Sequence, residues 1–342
     1  MPKRIIPPAL GCAALAFALP LLLIPAPAFS AAESAAEAAP TTAPEWAASP
    51  EPTPEEHTLR DRDMELSVLR GGEVSHETMA EYLPLALAGE MPAGFDEDAL
   101  KAQAVALRTY ALYCRSAEKP AHPAADICTS SGCCTAAADM DELRALWGSG
   151  FDGCWARICA AVEQTDGQYL VYNSEPILAA FHSSSSGMTE SSADVWGERP
   201  YLVSVSSPET QEDVKNLVTT VEVSADDFKS AVSGAADVVL GAEPGEWVGG
   251  IERNSSGRVK SAAVGGAELS GTLLRSLFSL RSTDFDLEYT DGVFVFTVRG
   301  YGHGVGMSQY GANTMAKDGA SYAEILEHYY PGTELVVAVE LG

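Results

Sequence analysis

Positive charge is scarce in this chain: its 342 residues carry 21 Lys and Arg against 48 Asp and Glu, a formal net charge of -27. Nucleic-acid binding is thereby set aside, because affinity for a phosphate backbone rests on basic patches that neutralise it. A ligand is expected to be neutral or cationic, or to be bound locally; the plainer account of the acidity is that it keeps an exported protein soluble. Several signatures are missing as well. The glycine-rich stretch at 299–312 lacks the Lys-Ser/Thr ending of a phosphate loop, and no ribose-binding acid follows it at dinucleotide spacing. His182-Ser-Ser-Ser-Ser-Gly lacks the first glycine of Gly-x-Ser-x-Gly, so it is not a nucleophile elbow. No internal repeat is visible, and helical and strand signals do not alternate as βαβ units.

What is present begins with an export signal. Lys3 and Arg4 precede an apolar run from about residue 10 to 24, followed by Ala28-Phe-Ser-Ala-Ala, a small-residue cleavage pattern. Pro20 and Pro25 interrupt a run already near the lower limit for spanning a bilayer, so residues 1–30 are a cleaved signal or a retained anchor. Cys12 lies at the start of the run rather than after it, which argues against a lipid-modified cysteine. Residues 31–58, rich in Ala, Pro and Glu, have almost nothing to bury and read as a disordered tether. The protein is thus expected outside the cytoplasm, anchored or secreted.

Residues 59–342 suffice for one large domain or two intimately packed ones. Asp96 is a helix N-cap; Leu100, Ala104, Leu107 and Ala111 keep helical spacing to Tyr113, with Glu97 and Lys101 an i,i+4 pair and Arg108 on the same helix. Two strands at 167–173 and 176–181 flank an Asn-Ser-Glu turn, Tyr201-Leu-Val-Ser-Val alternates as a further strand, and another begins at Val218. A capped short helix is expected within 223–232 and a hairpin around Asn254-Ser-Ser-Gly. The fold class is α+β, helices with antiparallel strands around a substrate groove, and a strand-rich insertion at about 208–298.

Glu90 is the first catalytic candidate, because it stands in an otherwise apolar run just before Pro92 and Gly94. Burial raises a carboxyl pKa, and a raised carboxyl can donate a proton near neutral pH. The plainer alternative is a solvated carboxylate at a helix end. No second acid is evidently partnered with it. In Arg299-Gly-Tyr-Gly-His-Gly-Val-Gly-Met-Ser-Gln-Tyr, dense glycines leave room for a ligand or backbone, while Tyr301, His303, Gln309 and Tyr310 supply hydrogen bonds and stacking faces suited to a sugar. A tight turn around a core histidine is the alternative. His182, Ser183 and Ser184 either bond sugar hydroxyls or satisfy loop backbone.

His122, Cys128, Cys133 and Cys134 bring one imidazole and three thiols into a short loop. They would close a tetrahedral zinc shell with no open position, a structural site. Cys114, Cys154 and Cys159 make an even number with the three loop thiols, so disulfides compete, as do free buried thiols. Adjacent cysteines such as Cys133 and Cys134 seldom pair with each other, which favours the metal.

Taken together, Glu90-Met-Pro-Ala-Gly-Phe with Ala99-Leu-Lys-Ala-Gln-Ala-Val-Ala-Leu-Arg-Thr-Tyr, Leu280-Arg-Ser-Thr-Asp-Phe, and Gly302-His-Gly-Val-Gly-Met-Ser-Gln-Tyr-Gly-Ala with His328-Tyr-Tyr-Pro-Gly-Thr resemble the stage II sporulation protein D (SpoIID/LytB) family. The likeness runs from about residue 66 to 342 and covers three separated segments in order. It implies a lytic transglycosylase of sporulation and engulfment that cuts the β-1,4 bond between N-acetylmuramic acid and N-acetylglucosamine in peptide-free peptidoglycan strands. The family's catalytic glutamate falls on Glu90 and its helix arginine on Arg108. Its zinc loop is His, Cys, His, Cys, so Cys133 stands where the family has histidine. The mechanism needs one carboxyl, which protonates the glycosidic oxygen and then helps the C6 hydroxyl attack C1, leaving a 1,6-anhydro end; ordinary glycosidases need two. Two rivals remain at this point: a non-catalytic glycan-binding activator of a partner cell-wall amidase, and a zinc hydrolase.

Overall fold

The computed structural model describes residues 56–117 and 121–341, so the export segment at 1–30 and most of the tether lie outside the described residues. The tether boundary needs correcting. Glu56–Thr58 form a strand antiparallel to Val339–Leu341, the partner edge coming from the far end of the chain. Among the described residues no helix is long and apolar enough to cross a membrane.

Helix α1, Met79–Glu90, starts on a capping box in which Thr78 accepts from the Glu81 N–H and the Glu81 carboxylate accepts from the Thr78 N–H. Tyr82, Leu83, Pro84, Ala86 and Leu87 are buried, so its central turns lie inside the protein. Helix α2, Glu97–Ser116, is capped by Asp96 and carries the expected Glu97 to Lys101 pair at 2.8 Å. It is the axis of the main core: α1, the helices Phe151–Gln164, Gln309–Lys317 and Tyr322–Tyr329, and the strand Gln168–Tyr172 all pack on it. Its apolar residues Leu100, Val105 and Leu107 are fully buried, and truncating such a leucine costs about 2–5 kcal/mol. Helices α3, Met140–Trp147, and α4, Phe151–Gln164, follow, with α4 against α1 and α2.

Gln168–Tyr172 turns back into Glu175–Pro176 through Asn173 and Ser174, both at positive φ (52° and 65°), the geometry of a two-residue hairpin. The expected strand at 176–181 is broken after Pro176. The chain resumes strand form at Phe181–His182, which pairs parallel with Met307–Ser308. Tyr201-Leu-Val-Ser-Val is not a strand either: Tyr201 and Leu202 are buried in the core, and pairing is confined to Ser206–Ser207 against Gly187–Met188.

A second hydrophobic core is built from residues of 221–298. One sheet orders Val218–Ser224, Val293–Arg299 and Phe285–Thr290; the other orders Val248–Arg253, Val259–Val264 and Ala267–Ser270. Helix α5, Ala225–Ala235, capped by Ser224, and α6, Gly271–Leu277, complete this body. Phe228 and Phe294 stack within it at 3.9 Å between ring centroids. The chain then re-enters the first body through residues 300–308, leading into α7, Gln309–Lys317, and α8, Tyr322–Tyr329. The architecture is α+β with mostly antiparallel sheets.

Candidate active site

Glu90 is the last residue of α1, which stops because Pro92 and Gly94 follow; the Met91 N–H still bonds back to the Leu87 carbonyl at 2.9 Å. The Glu90 carbonyl, left without a helical partner, accepts from Gln309 Nε2 at 3.0 Å. Its Oε1 accepts the backbone N–H of Ala136 at 2.5 Å. That segment is pinned along α1: the Tyr82 and Thr135 hydroxyls bond at 2.5 Å, and Ala138 N–H reaches the Leu85 carbonyl at 2.9 Å. Gly89 permits the approach, since a Cβ there would lie 2.9 Å from Ala138 N. Burial pushes the half-buried Glu90 carboxyl up to about 7, and the Ala136 N–H pulls more weakly the other way.

A cavity of about 160 Å³ opens beside it, lined among others by Glu90, Phe181, His182, Ser183, Tyr301 and His303. Glu90 is the one carboxylate among its described lining residues. A larger hollow of about 620 Å³ lies elsewhere, near Arg60, Pro84 and Trp155, and contains none of these groups. The glycines flanking His303 serve close packing of the protein on itself. Gly302 has φ 114°, and a Cβ there would lie 2.7 Å from that of His182; at Gly304 it would lie 2.6 Å from the Arg258 guanidinium carbon.

Both histidines are held neutral. Burial, with Arg275 and Arg258 nearby, pulls His303 down to about 3. Its Nδ1 accepts the Val305 N–H at 3.1 Å, and the ring also bonds the Phe181 backbone. His182 is depressed by burial first, then by His303 and Arg258. Its Nδ1 donates to the Val305 carbonyl at 3.3 Å and its Nε2 accepts from Ser185 Oγ at 2.7 Å. Neither ring is available as a proton carrier near neutral pH. Trp196, which sequence reasoning missed, sits 4.8 Å from the His303 ring centroid while 37% exposed, and lines a neighbouring hollow of about 40 Å³ that shares Phe181 and His303 with the Glu90 cavity. A tryptophan in the polar run Asp194-Val-Trp-Gly-Glu was the available signal. Glu209, also missed, is buried beneath the serine loop and accepts from Ser185 N–H (2.6 Å), Ser207 Oγ (2.6 Å) and Ser308 Oγ (2.5 Å).

Glu90, His182, Ser183, Tyr301, His303 and Gln309 therefore converge, but four expected roles change. Arg108 does not orient Glu90: fully buried, it is spent on a bidentate pair with Asp61 (2.6 and 2.7 Å) and on the Gln168 carbonyl at 2.8 Å. Ser184 is buried and exchanges backbone hydrogen bonds with Tyr301, so its hydroxyl does not line the cavity. Gln309 lines the cavity as expected but also clamps the end of α1 through its amide. Tyr310 packs edge-on against Phe95 at 4.9 Å, outside the lining.

The donor atoms of His122, Cys128, Cys133 and Cys134 all lie within 4.8 Å of one another. Zinc–sulfur bonds of about 2.3 Å place the donors of a tetrahedron about 3.8 Å apart, so this spacing and donor set fit that ion. His122 Nδ1 donates to the Ala125 carbonyl at 2.9 Å, which leaves Nε2 facing the thiols, 3.2 Å from Cys134 Sγ. Cys114, Cys128, Cys133, Cys134, Cys154 and Cys159 form no disulfide.

Residues 71–172 match the SpoIID family, described as Stage II sporulation protein. The chain belongs to the stage II sporulation protein D family. It is 35% identical over 285 residues to Stage II sporulation protein D of Bacillus amyloliquefaciens, covering 82% of this chain and 81% of that protein. It is 33% identical to Stage II sporulation protein D of Bacillus subtilis (strain 168), across 81% of this chain and 80% of that one. It is also 29% identical to the Amidase enhancer of the same organism, with 72% of this chain matching 39% of that protein.

Proposed function

We propose that this protein is a peptidoglycan lytic transglycosylase, acting outside the cytoplasm on peptide-free glycan strands during sporulation, with Glu90 as its single acid and base. The carrying observation is that Glu90 is the sole carboxylate among the described lining residues and is raised to about 7, beside two histidines held neutral. Protonated Glu90 gives its proton to the oxygen joining C1 of N-acetylmuramic acid to C4 of N-acetylglucosamine, and the C1–O bond breaks. The carboxylate left behind takes the proton of the muramic C6 hydroxyl as O6 bonds to C1, closing the 1,6-anhydro ring without water. Ser183, Tyr301 and the face of His303 line the sugar's path, and Trp196 supplies a stacking face in the neighbouring hollow.

His122, Cys128, Cys133 and Cys134 would hold a structural zinc ion, with four protein donors and no open coordination position. Its task is to fix the loop that leads to Ala136. Mass analysis of fragments from purified peptide-free strands tests the reaction: anhydro-ended products from wild type and none from Glu90→Gln support it, whereas reducing ends would mean hydrolysis.

A second reading draws on the likeness to the Amidase enhancer: the same cleft binds glycan and stimulates a partner cell-wall amidase. Glu90→Gln separates the two, since stimulation needs binding and no proton transfer.

A further inference from the structure

Two of the five arginines of the second body share one aspartate. Arg299 and Arg253 both bond Asp286, at 2.5 and 2.6 Å. Three others gather instead behind the Tyr301-Gly-His-Gly turn, in a chain whose acids outnumber its Lys and Arg by 27. The Arg281 guanidinium lies over the Tyr301 ring, 4.4 Å from its centroid, and the Arg281 carbonyl accepts the Gly302 N–H at 2.9 Å. Arg275 donates through Nε to the Leu280 carbonyl at 3.2 Å, and its charge is felt at both His303 and His182. Arg258, fully buried against Gly304, donates to Ser185 Oγ at 3.2 Å and stands 3.8 Å from Glu190.

Glu190, Glu209 and Asp284 offset Arg258 from behind. Arg275 and Arg281 take part in none of the ion pairs formed by the described residues. Arg281 Nε, together with Nε and Nη1 of Arg258, is a buried nitrogen with no hydrogen-bond partner. Buried cations repel one another at low dielectric, and burial and Arg258 both depress Arg275, which has no carboxylate of its own within ion-pair distance among the described residues. An anion entering beside Tyr301 relieves that repulsion.

We propose that Arg281 and Arg275 form an anion subsite on the Tyr301 side of the cavity, taking the lactyl carboxylate of a muramic acid residue. Removing the stem peptide by amide hydrolysis leaves one such carboxylate on each muramic acid, whereas a strand that keeps its peptides carries a neutral amide there. Arginine suits this ligand because its planar fork matches a carboxylate. The subsite rests on the glycan-binding reading above and deepens it: the cleft would recognise a strand already processed by an amidase.

Binding of non-cutting Glu90→Gln protein to two strand preparations tests the subsite, one carrying free lactyl acids and one in which they are reduced to alcohols. The free-acid strands are expected to bind about tenfold or more tightly, with an affinity that falls as salt rises. Adding Arg281→Gln should remove the preference while leaving affinity for reduced strands unchanged, and Arg281→Lys should restore part of it. Equal binding of both preparations at low salt, or an equal loss on both in the Arg281→Gln protein, overturns the subsite. Anhydro-ended cutting without carboxylate preference would sink the subsite and leave the transglycosylase standing; preference without cutting would do the reverse.

Discussion

Ala136 donates its backbone N–H to Glu90 Oε1 across 2.5 Å, from a loop that begins two residues after Cys134. Burial raises this acid while one amide restrains the rise. Removing the N–H in Ala136→Pro is therefore expected to raise the carboxyl further above about 7. The alkaline limb of the kcat/KM profile, set by loss of protonated Glu90, should move to higher pH, and a limb that stays in place would mean that the amide does not tune the acid.

Glu90→Gln should slow cutting severely and yet stabilise the protein under alkaline conditions. The folded acid titrates at about 7 and an ordinary one at 4.5. Between those values the unfolded chain binds fewer protons, so wild-type stability falls as pH rises through the window and stays reduced above it. Thermal melts should show Gln and wild type close at pH 4 and Gln ahead by about 1–3 kcal/mol at pH 8. Activity is expected to fall by about 100-fold or more, as for loss of a general acid.

Arg108→Ala should act on folding. It strands buried Asp61 without its partner, a change that costs about 3–5 kcal/mol. Denaturant midpoints should drop sharply, while kcat per folded molecule stays near wild type at low temperature.

Chelation is expected to release one zinc ion per chain and to lower Tm. Cys128→Ser should do the same without chelator. Activity should decline in step with loosening of the Ala136 loop, read as increased amide exchange at 134–138. An ion that can be removed with no change in Tm would not be structural.

Trp196→Ala removes an exposed ring that closes over His303. KM for glycan should rise about tenfold, the scale of one lost aromatic stack, with kcat changed little.

Local signals carried much of the fold into the sequence. The Asp96 cap, the Glu97 to Lys101 pair and the 173–174 turn are decided by residues within a few positions of one another, so reading them needed no tertiary knowledge. Glu90 was legible for a related reason: an acid in an apolar run is anomalous wherever the chain goes. Arg108 was not, because its partner Asp61 is 47 positions away and nothing in the helix pattern distinguishes a cleft from a core. Tyr201-Leu-Val-Ser-Val alternates like a strand, but Tyr201 and Leu202 were claimed by the core, where the Tyr201 hydroxyl accepts the Leu178 N–H at 3.1 Å. Trp196 and the second role of Gln309 likewise depend on neighbours that the fold supplies.

Glu90 is gripped from two distances along the chain, by Ala136 46 positions downstream and by Gln309 219 positions downstream. A chain without α7 has the glutamate and the Ala136 amide but not the Gln309 side chain that fixes the end of α1. Deleting α7 is thus expected to release the C-terminal end of α1 while the Ala136 contact persists, so one of the most distant stretches of sequence closes the surroundings of the carboxyl.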